Sequence, residues 1–186
     1  MPRTLKDMEA EVEAYCRAKG WYDEEVSLPA AFALLHEEVS EAGHAWREWG
    51  LDDATAGVTE ENPAGSVRAK PQGTGSELAD VFIRLLDCSG RYRLNLPARY
   101  GQALAAFSLH DEFLANVNAL HDLISRVSAA WEAAPSDTDE LASGLARVLD
   151  FTFQLADDCG YDLLFEYARK MAFNRDRDYR HGGRRA

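Results

Sequence analysis

The chain lacks any apolar run approaching the ~18 residues that a membrane-spanning helix requires. Its opening stretch, MPRTLKDMEAEVEAYC, is charged throughout and has no apolar core of the kind a signal peptide carries. Cysteine is scarce: Cys16, Cys88 and Cys159 are widely spaced, form no C-x-x-C pair and, being three, cannot all pair. Such usage fits reduced thiols rather than a disulfide framework. A soluble, cytoplasmic protein with no membrane partner is therefore expected. Basic residues are outnumbered, 20 against 32 acidic, for a formal net charge of −12. A partner of polymeric nucleic acid needs a basic face to displace counterions, so that class is excluded. A single nucleotide is not excluded, because a metal ion can offset acidic side chains locally. Period-two alternation is also missing and β-branched residues are scattered, so no strand is expected.

What is present is helical periodicity in a chain of 186 residues, the size of one domain. From Thr4 to Lys19, apolar Leu5, Met8, Val12, Tyr15 and Cys16 recur at spacings of three and four, and Gly20 follows as a stop. A second helix is predicted from Pro29 to Trp49, a third from Glu77 to about Arg93. Two more span about Ala103–Ala133 and Asp139–Asp158, and a last runs from about Asp162 to Asn174. Between Leu51 and Ser76, Gly, Pro, Thr, Asp and Asn predominate, and a long loop of active-site-lid type is expected. From Arg169 onward the chain turns basic, with seven Lys or Arg against Asp176 and Asp178.

The sequence also repeats itself. Leu35-His36-Glu37-Glu38-Val39-Ser40-Glu41 aligns with Leu120-His121-Asp122-Leu123-Ile124-Ser125-Arg126, and continuing without a gap brings Trp46 onto Trp131. Glu77-Leu78-Ala79-Asp80-Val81-Phe82 aligns with Gly144-Leu145-Ala146-Arg147-Val148-Leu149, and Leu96 lands on Leu163. Copy one covers about 28–103, copy two about 113–174, and 175–186 form a basic tail. Apolar positions persist between copies while the acids do not. Glu38 becomes Leu123, Glu41 becomes Arg126, Glu77 becomes Gly144 and Asp80 becomes Arg147; only Glu37 keeps an acid, Asp122. His36 and His121 hold matched positions and read as structural.

Glu37, Glu38 and Glu41 share one side of a helix, as do Glu77 and Asp80 on another. Like charges at such spacing repel, so their clustering asks for a cation. Mg²⁺, a hard ion that takes carboxylate, phosphate and water oxygens, supplies one. The competing reading is a solvated acidic stripe, which E-E-x-x-E alone does not exclude; the following E-x-x-D shifts the balance. Glu41 and His44 also form an E-x-x-H, the pattern of carboxylate di-iron bundles, but no second E-x-x-H exists to complete such a site. Arg84 lies on the stripe of Glu77 and Asp80, and an ion pair with them is expected. Trp21, Trp46 and Trp49 are stacking candidates for a base, with core packing the competing role. Arg68 and Lys70 are candidates to reach phosphates from the long loop.

L-L-H-E-E-V-S-E, K-P-Q-G-T-G-S-E-L-A-D-V-F-I-R-L-L-D and K-M-A-F-N-R-D-R-D-Y-R-H-G-G-R-R, in that order, resemble the MazG-like branch of the all-α NTP pyrophosphohydrolases, a superfamily that includes the dimeric dUTPases. The resemblance implies an all-α helical bundle. It implies that Glu38, Glu41, Glu77 and Asp80 hold Mg²⁺, with Mn²⁺ as a substitute, and that Glu37 orients or deprotonates the attacking water. It implies that Lys170, Asn174 and Arg177 contact the triphosphate. Two departures stand out: a longer stretch between the acidic motifs, and about sixty residues before the Lys/Asn element. The repeat accounts for the second, since Ala103 and Phe107 match Lys170 and Asn174: copy one kept the acids and copy two the basic element. The expectation is a pseudo-dimer within one chain, completing one site that converts a (d)NTP to NMP and pyrophosphate, with a homodimer of such chains as a partner arrangement. A nucleotide-sensing or partner-binding protein with weak turnover is the rival class.

Overall fold

Thr4 opens the first helix through a reciprocal capping box with Asp7, whose side chain also accepts from the Thr4 backbone. The structure, a computed structural model, describes residues 3–51, 57–61, 67–101 and 107–179. Seven helices are found among them: α1 (Leu5–Ala18), α2 (Leu28–Trp49), α3 (Thr74–Tyr92), α4 (Leu96–Arg99), α5 (Phe113–Ala133), α6 (Thr138–Asp158) and α7 (Leu163–Asn174). Ser27 caps α2 with Pro29 in its first turn, Asp137 caps α6, and Asp162 caps α7 through the amides of Leu164 and Phe165. The fold is therefore a helical bundle, as the periodicity predicts, with three differences.

First, the stretch expected to be a loop without strands carries a short antiparallel ribbon, β1 (Gly57–Glu61) and β2 (Val67–Pro71), with Thr59 opposite Ala69. β2 does alternate, with Val67, Ala69 and Pro71 against Arg68 and Lys70, but it is a single short run inside a stretch dominated by Gly, Pro, Thr, Asp and Asn. Second, the helix expected from Ala103 begins at Phe113. The Asn116 side chain accepts from the His110 amide at 2.8 Å and donates to its carbonyl at 2.9 Å, fixing the preceding segment outside the helix. Residues 102–106 lie outside the described residues, as do 52–56, 62–66 and the tail from 180. Third, α3 starts at Thr74 rather than Glu77, where the Thr74 hydroxyl donates to the Gly50 carbonyl at 2.8 Å and joins α3 to the end of α2.

Helix α3 is the hub, packed against α1, α2, α6 and α7. Its Leu78, Val81, Phe82, Leu85 and Leu86 are buried. Phe82 meets Phe153 of α6 and Tyr167 of α7 edge-on, both with ring centroids at 5.3 Å. Burying such a side chain removes it from water at a gain of about 1.5–3 kcal/mol each, so this stripe drives assembly around α3.

The elements of the two sequence copies also meet reciprocally. α2 lies against α5, α3 against α6, α7 against α3, and α4 against α6. Leu96 and Leu163, matched in sequence, are both buried at the heads of α4 and α7. His36 and His121 touch each other: their rings stack at 5.1 Å with planes 18° apart, and their Nδ1 atoms are 2.8 Å apart.

An Nδ1–Nδ1 hydrogen bond needs one neutral imidazole donating and the other accepting. Burial lowers the pKa of His36; burial, then the charge of His36, lowers that of His121. Both folded values thus lie below the unfolded value of about 6.5, so the unfolded chain takes up protons first, and this contribution is present above pH ~6.5 and lost as pH falls. The melting temperature should drop between about pH 7.5 and about pH 5.5. In a His36→Asn/His121→Asn double variant the drop should be smaller; an equal drop in both proteins would exclude the pair as its source.

Candidate active site

The acidic stripe of α2 and the polar stripe of α3 face each other across a cavity of about 380 Å³. Spacing explains the division of each helix. On α3 the apolar residues point to the core, and Glu77, Asp80, Arg84, Asp87 and Arg91, at steps of three and four, line the cavity. On α2, Leu35 and Val39 are buried while Glu37, Glu38 and Glu41 line the same space. Helix α7 closes it from the other copy with Lys170 and Asn174, and Arg177 follows just beyond the helix end. All eight site residues expected from the sequence border this one cavity, although Glu38 and Asn174 are 136 residues apart in the chain.

Lys170 is the junction. It is 4% exposed, and its Nζ lies 2.5 Å from Asp80 Oδ2 and 3.3 Å from both oxygens of Glu77. Burial alone would lower its pKa; the attraction of Asp80 and Glu77 outweighs that and raises it. Burial pushes Glu77 up to about 7 against the opposing pull of Lys170. Burial likewise raises Glu38, against the attraction of Arg84. In both, burial outweighs the attraction of the neighbouring cation.

Arg84 does not pair with Glu77 and Asp80 as its stripe predicts. Its Nη2 donates to Glu38 Oε1 at 2.8 Å, across to α2, and its Nη1 stands 3.7 Å from Asp87 Oδ2. Lys170, from a helix that spacing along α3 cannot reveal, already satisfies Glu77 and Asp80. His44 does not border the cavity; it is exposed and lies 3.7 Å from Glu48, away from Glu41, which does line it, so the two members of the E-x-x-H pattern do not share the site. Of the tryptophans, Trp21 lines the cavity, whereas Trp46 stacks on Phe113 at 5.9 Å and belongs to the packing of α2 on α5. Lys70 reaches the cavity from β2; the side chain of Arg68 lies outside the described residues. Sequence reasoning missed Asp87 and Arg91, whose signal was present: both continue the stripe of Glu77 and Asp80.

The C-terminal end of α7 is strapped to α1. Lys19 donates to the carbonyls of Arg175, at 2.8 Å, and Arg177; Glu11 pairs with Arg175 and accepts from Tyr167 at 2.9 Å. These bonds hold Asn174 and Arg177 at the cavity.

Among the described residues no three Asp, Glu, His or Cys side chains are drawn together as a metal site. The physical reason is visible: Lys170 pairs with Glu77 and Asp80, and Arg84 with Glu38, so cations stand between three of the five acids. The donor chemistry still fits a hard divalent cation, because the set is all carboxylate and burial raises two of its members, a cost that added positive charge would relieve.

Gly144 matches Glu77 in the sequence repeat, and a Cβ there would lie 2.8 Å from the Val127 side chain of α5, so α5 and α6 meet closely where an acid would need room.

Removing Lys170 leaves two half-paired buried acids behind, and breaking such a pair costs about 3–5 kcal/mol. Lys170→Met should therefore lose about that much in a urea titration of the metal-free protein, and adding Asp80→Asn should recover part of it. Strictly additive losses would show that the ion pair does not join α7 to α3. Gly144→Leu should also destabilise, by about 1–3 kcal/mol through overpacking against Val127.

No protein-family model matches the chain, and comparison with the curated proteins and with the solved structures found no match.

Proposed function

We propose that the chain is a divalent-metal-dependent nucleoside triphosphate pyrophosphohydrolase of the MazG-like all-α type, converting a (d)NTP to NMP and pyrophosphate. One observation carries this reading. Acids from α2 and α3 and bases from β2, α7 and the residues after it share the walls of a single cavity. A metal-bound polyphosphate asks for that mixture, carboxylates for the cation and ammonium or guanidinium groups for the phosphate oxygens. A di-iron centre asks for histidine ligands at the cavity, and among the described residues none borders it.

Glu38, Glu41, Glu77 and Asp80 would hold the metal, Mg²⁺ or Mn²⁺. When bound, it polarises the phosphate and acidifies water. Glu37, exposed at the rim of the cavity and free of the buried ion pairs, takes a proton from the water that attacks the α-phosphorus. The α-phosphorus–oxygen bond to the β-phosphate breaks, and the electron pair leaves with pyrophosphate. Lys170 and Arg177 offset the charge that develops on that leaving group, and Asn174 donates to a phosphate oxygen. Lys170 would have to leave Glu77 and Asp80 to do so, which would free those two carboxylates to hold the cation. Metal and triphosphate are thereby expected to bind together.

The same reading accounts for the repeat. A pseudo-two-fold arrangement is supported by His36 against His121, by α2 against α5, and by the reciprocal docking of α4 on α6 and α7 on α3. Copy one supplies the acids, copy two the bases, and one site results. A nucleotide-binding protein with weak turnover is favoured by one observation, the ammonium already seated on Glu77 and Asp80.

Turnover on a panel of (d)NTPs with Mg²⁺ decides between them. Pyrophosphate should be released from at least one nucleotide. Glu37→Gln should slow release by about 10²- to 10⁴-fold, the range for losing a general base. Glu41→Gln should abolish it and weaken Mn²⁺ binding measured by calorimetry. Binding of nucleotide without any pyrophosphate release would favour the sensing protein instead.

A further inference from the structure

The cavity does not end at the acids. Its walls also include Tyr15, Trp21, Val26 and Ile83, an apolar and aromatic lining suited to a flat ring. Asp87, three residues past Arg84 on α3, lines the cavity with them. It is buried, and its Oδ1 has no hydrogen-bond partner among the described residues. The nearest cations stand off: Arg84 Nη1 is 3.7 Å from Oδ2 and Arg91 Nε 3.9 Å from Oδ1. Arg91 is committed elsewhere, donating to the Trp21 carbonyl at 2.9 Å and lying 4.2 Å from the centre of the Tyr22 ring. Arg84 Nε, beside Asp87, is likewise buried without a partner. Buried polar atoms in native proteins are almost always satisfied, so an open acceptor next to an open donor on a cavity wall marks a place for a ligand's polar edge.

The spacing fits a nucleotide. Asp87 lies seven residues along α3 from Asp80, about 10 Å at the helical rise. That separation suits the reach from an α-phosphate held near Asp80 to the far edge of its base.

We propose that this part of the cavity is the nucleobase subsite, and that Asp87 Oδ1 accepts a hydrogen bond from an exocyclic amino group, selecting cytosine, adenine or guanine nucleotides over uracil and thymine ones. A carboxylate only accepts. Uracil and thymine present carbonyl oxygens where the other bases carry the amino group, and a carbonyl against a buried carboxylate is repelled and leaves it unpaired. Arg84 Nε supplies the donor for the ring nitrogen or carbonyl beside the amino group. This inference rests on the pyrophosphohydrolase reading of the same cavity.

The test is kcat/KM for dCTP, dATP, dGTP, dUTP and dTTP with Mg²⁺, for the wild type and Asp87→Asn. Alongside it, the protein's tryptophan fluorescence is titrated with the corresponding monophosphates, with Trp21→Phe as a control. At least one amino-bearing triphosphate should exceed both dUTP and dTTP by at least about tenfold in the wild type. Asp87→Asn, whose amide both donates and accepts, should narrow that gap, and the monophosphate signal should shrink in Trp21→Phe. Wild-type turnover of dUTP or dTTP equal to the best amino-bearing substrate would overturn the inference while leaving the pyrophosphohydrolase reading intact. An unchanged preference in folded Asp87→Asn would do the same. Should that variant not fold, the wild-type preferences and monophosphate affinities decide alone. Absence of any turnover or nucleotide binding would remove both readings together.

Discussion

The contact of Lys170 with Glu77 and Asp80 is the constraint on which the rest of the structure depends. It joins α7, the last helix, to α3, the hub, and does so inside the cavity rather than on the surface. A lysine this deeply enclosed is tolerated only where carboxylates meet it, and carboxylates this deep are tolerated only with a cation near. Neither half is stable in its place alone. The apolar contacts around Phe82 bring the helices together; the ion pair fixes how α7 turns its polar side. Buried charge of this kind is a poor source of stability compared with hydrocarbon of the same volume. Its presence between two helices that are otherwise well packed therefore points to use rather than to architecture.

Comparison of the two copies shows the same principle in reverse. Where copy one holds Glu77 facing open space, copy two has Gly144 with Val127 filling the gap. Where copy one has Glu38, copy two has Leu123, which packs against the core. Phe107, at the position matching Asn174, meets Phe151 edge-on at 4.9 Å. Around these positions hydrocarbon stands where the matched residues are polar, the packing that the energetics of buried polar groups favours. The half that carries the acids is the half that departs from it.

Much of this was legible in the sequence because the site residues violate the pattern around them. Glu38 and Asp80 are acids embedded in helices otherwise rich in Leu, Ala and Val, and the repeat marked which acids were peculiar to one copy. The helices themselves followed from three-and-four spacing, with caps at Thr4, Ser27 and Asp162. What stayed hidden depended on contacts between distant segments. Arg84 pairs across to Glu38 because Lys170 arrives from another helix, and spacing along α3 cannot show that. The start of α5 was misplaced because one side chain, Asn116, holds the backbone at His110 away from the helix that its apolar neighbours would extend. The ribbon was missed because its strands are five residues each and sit in a stretch whose Gly, Pro and Thr read as loop. Asp87 could have been found by following the stripe two steps further.

The strap between α1 and the residues after α7 bears on when the molecule becomes competent. Lys19 and Glu11 lie near the beginning of the chain, and their partners Tyr167, Arg175 and Arg177 near its end. A nascent chain emerging from the ribosome can form α2 and α3 early, yet it carries their acids without the lysine that answers them. Until α7 is released, Glu77 and Asp80 belong to a half-built wall open to water. Synthesis must pass the residues that follow α7 before α1 and α7 close on one another, so a product that stops before Leu163 lacks Lys170, Asn174 and Arg177 and with them one wall of the cavity.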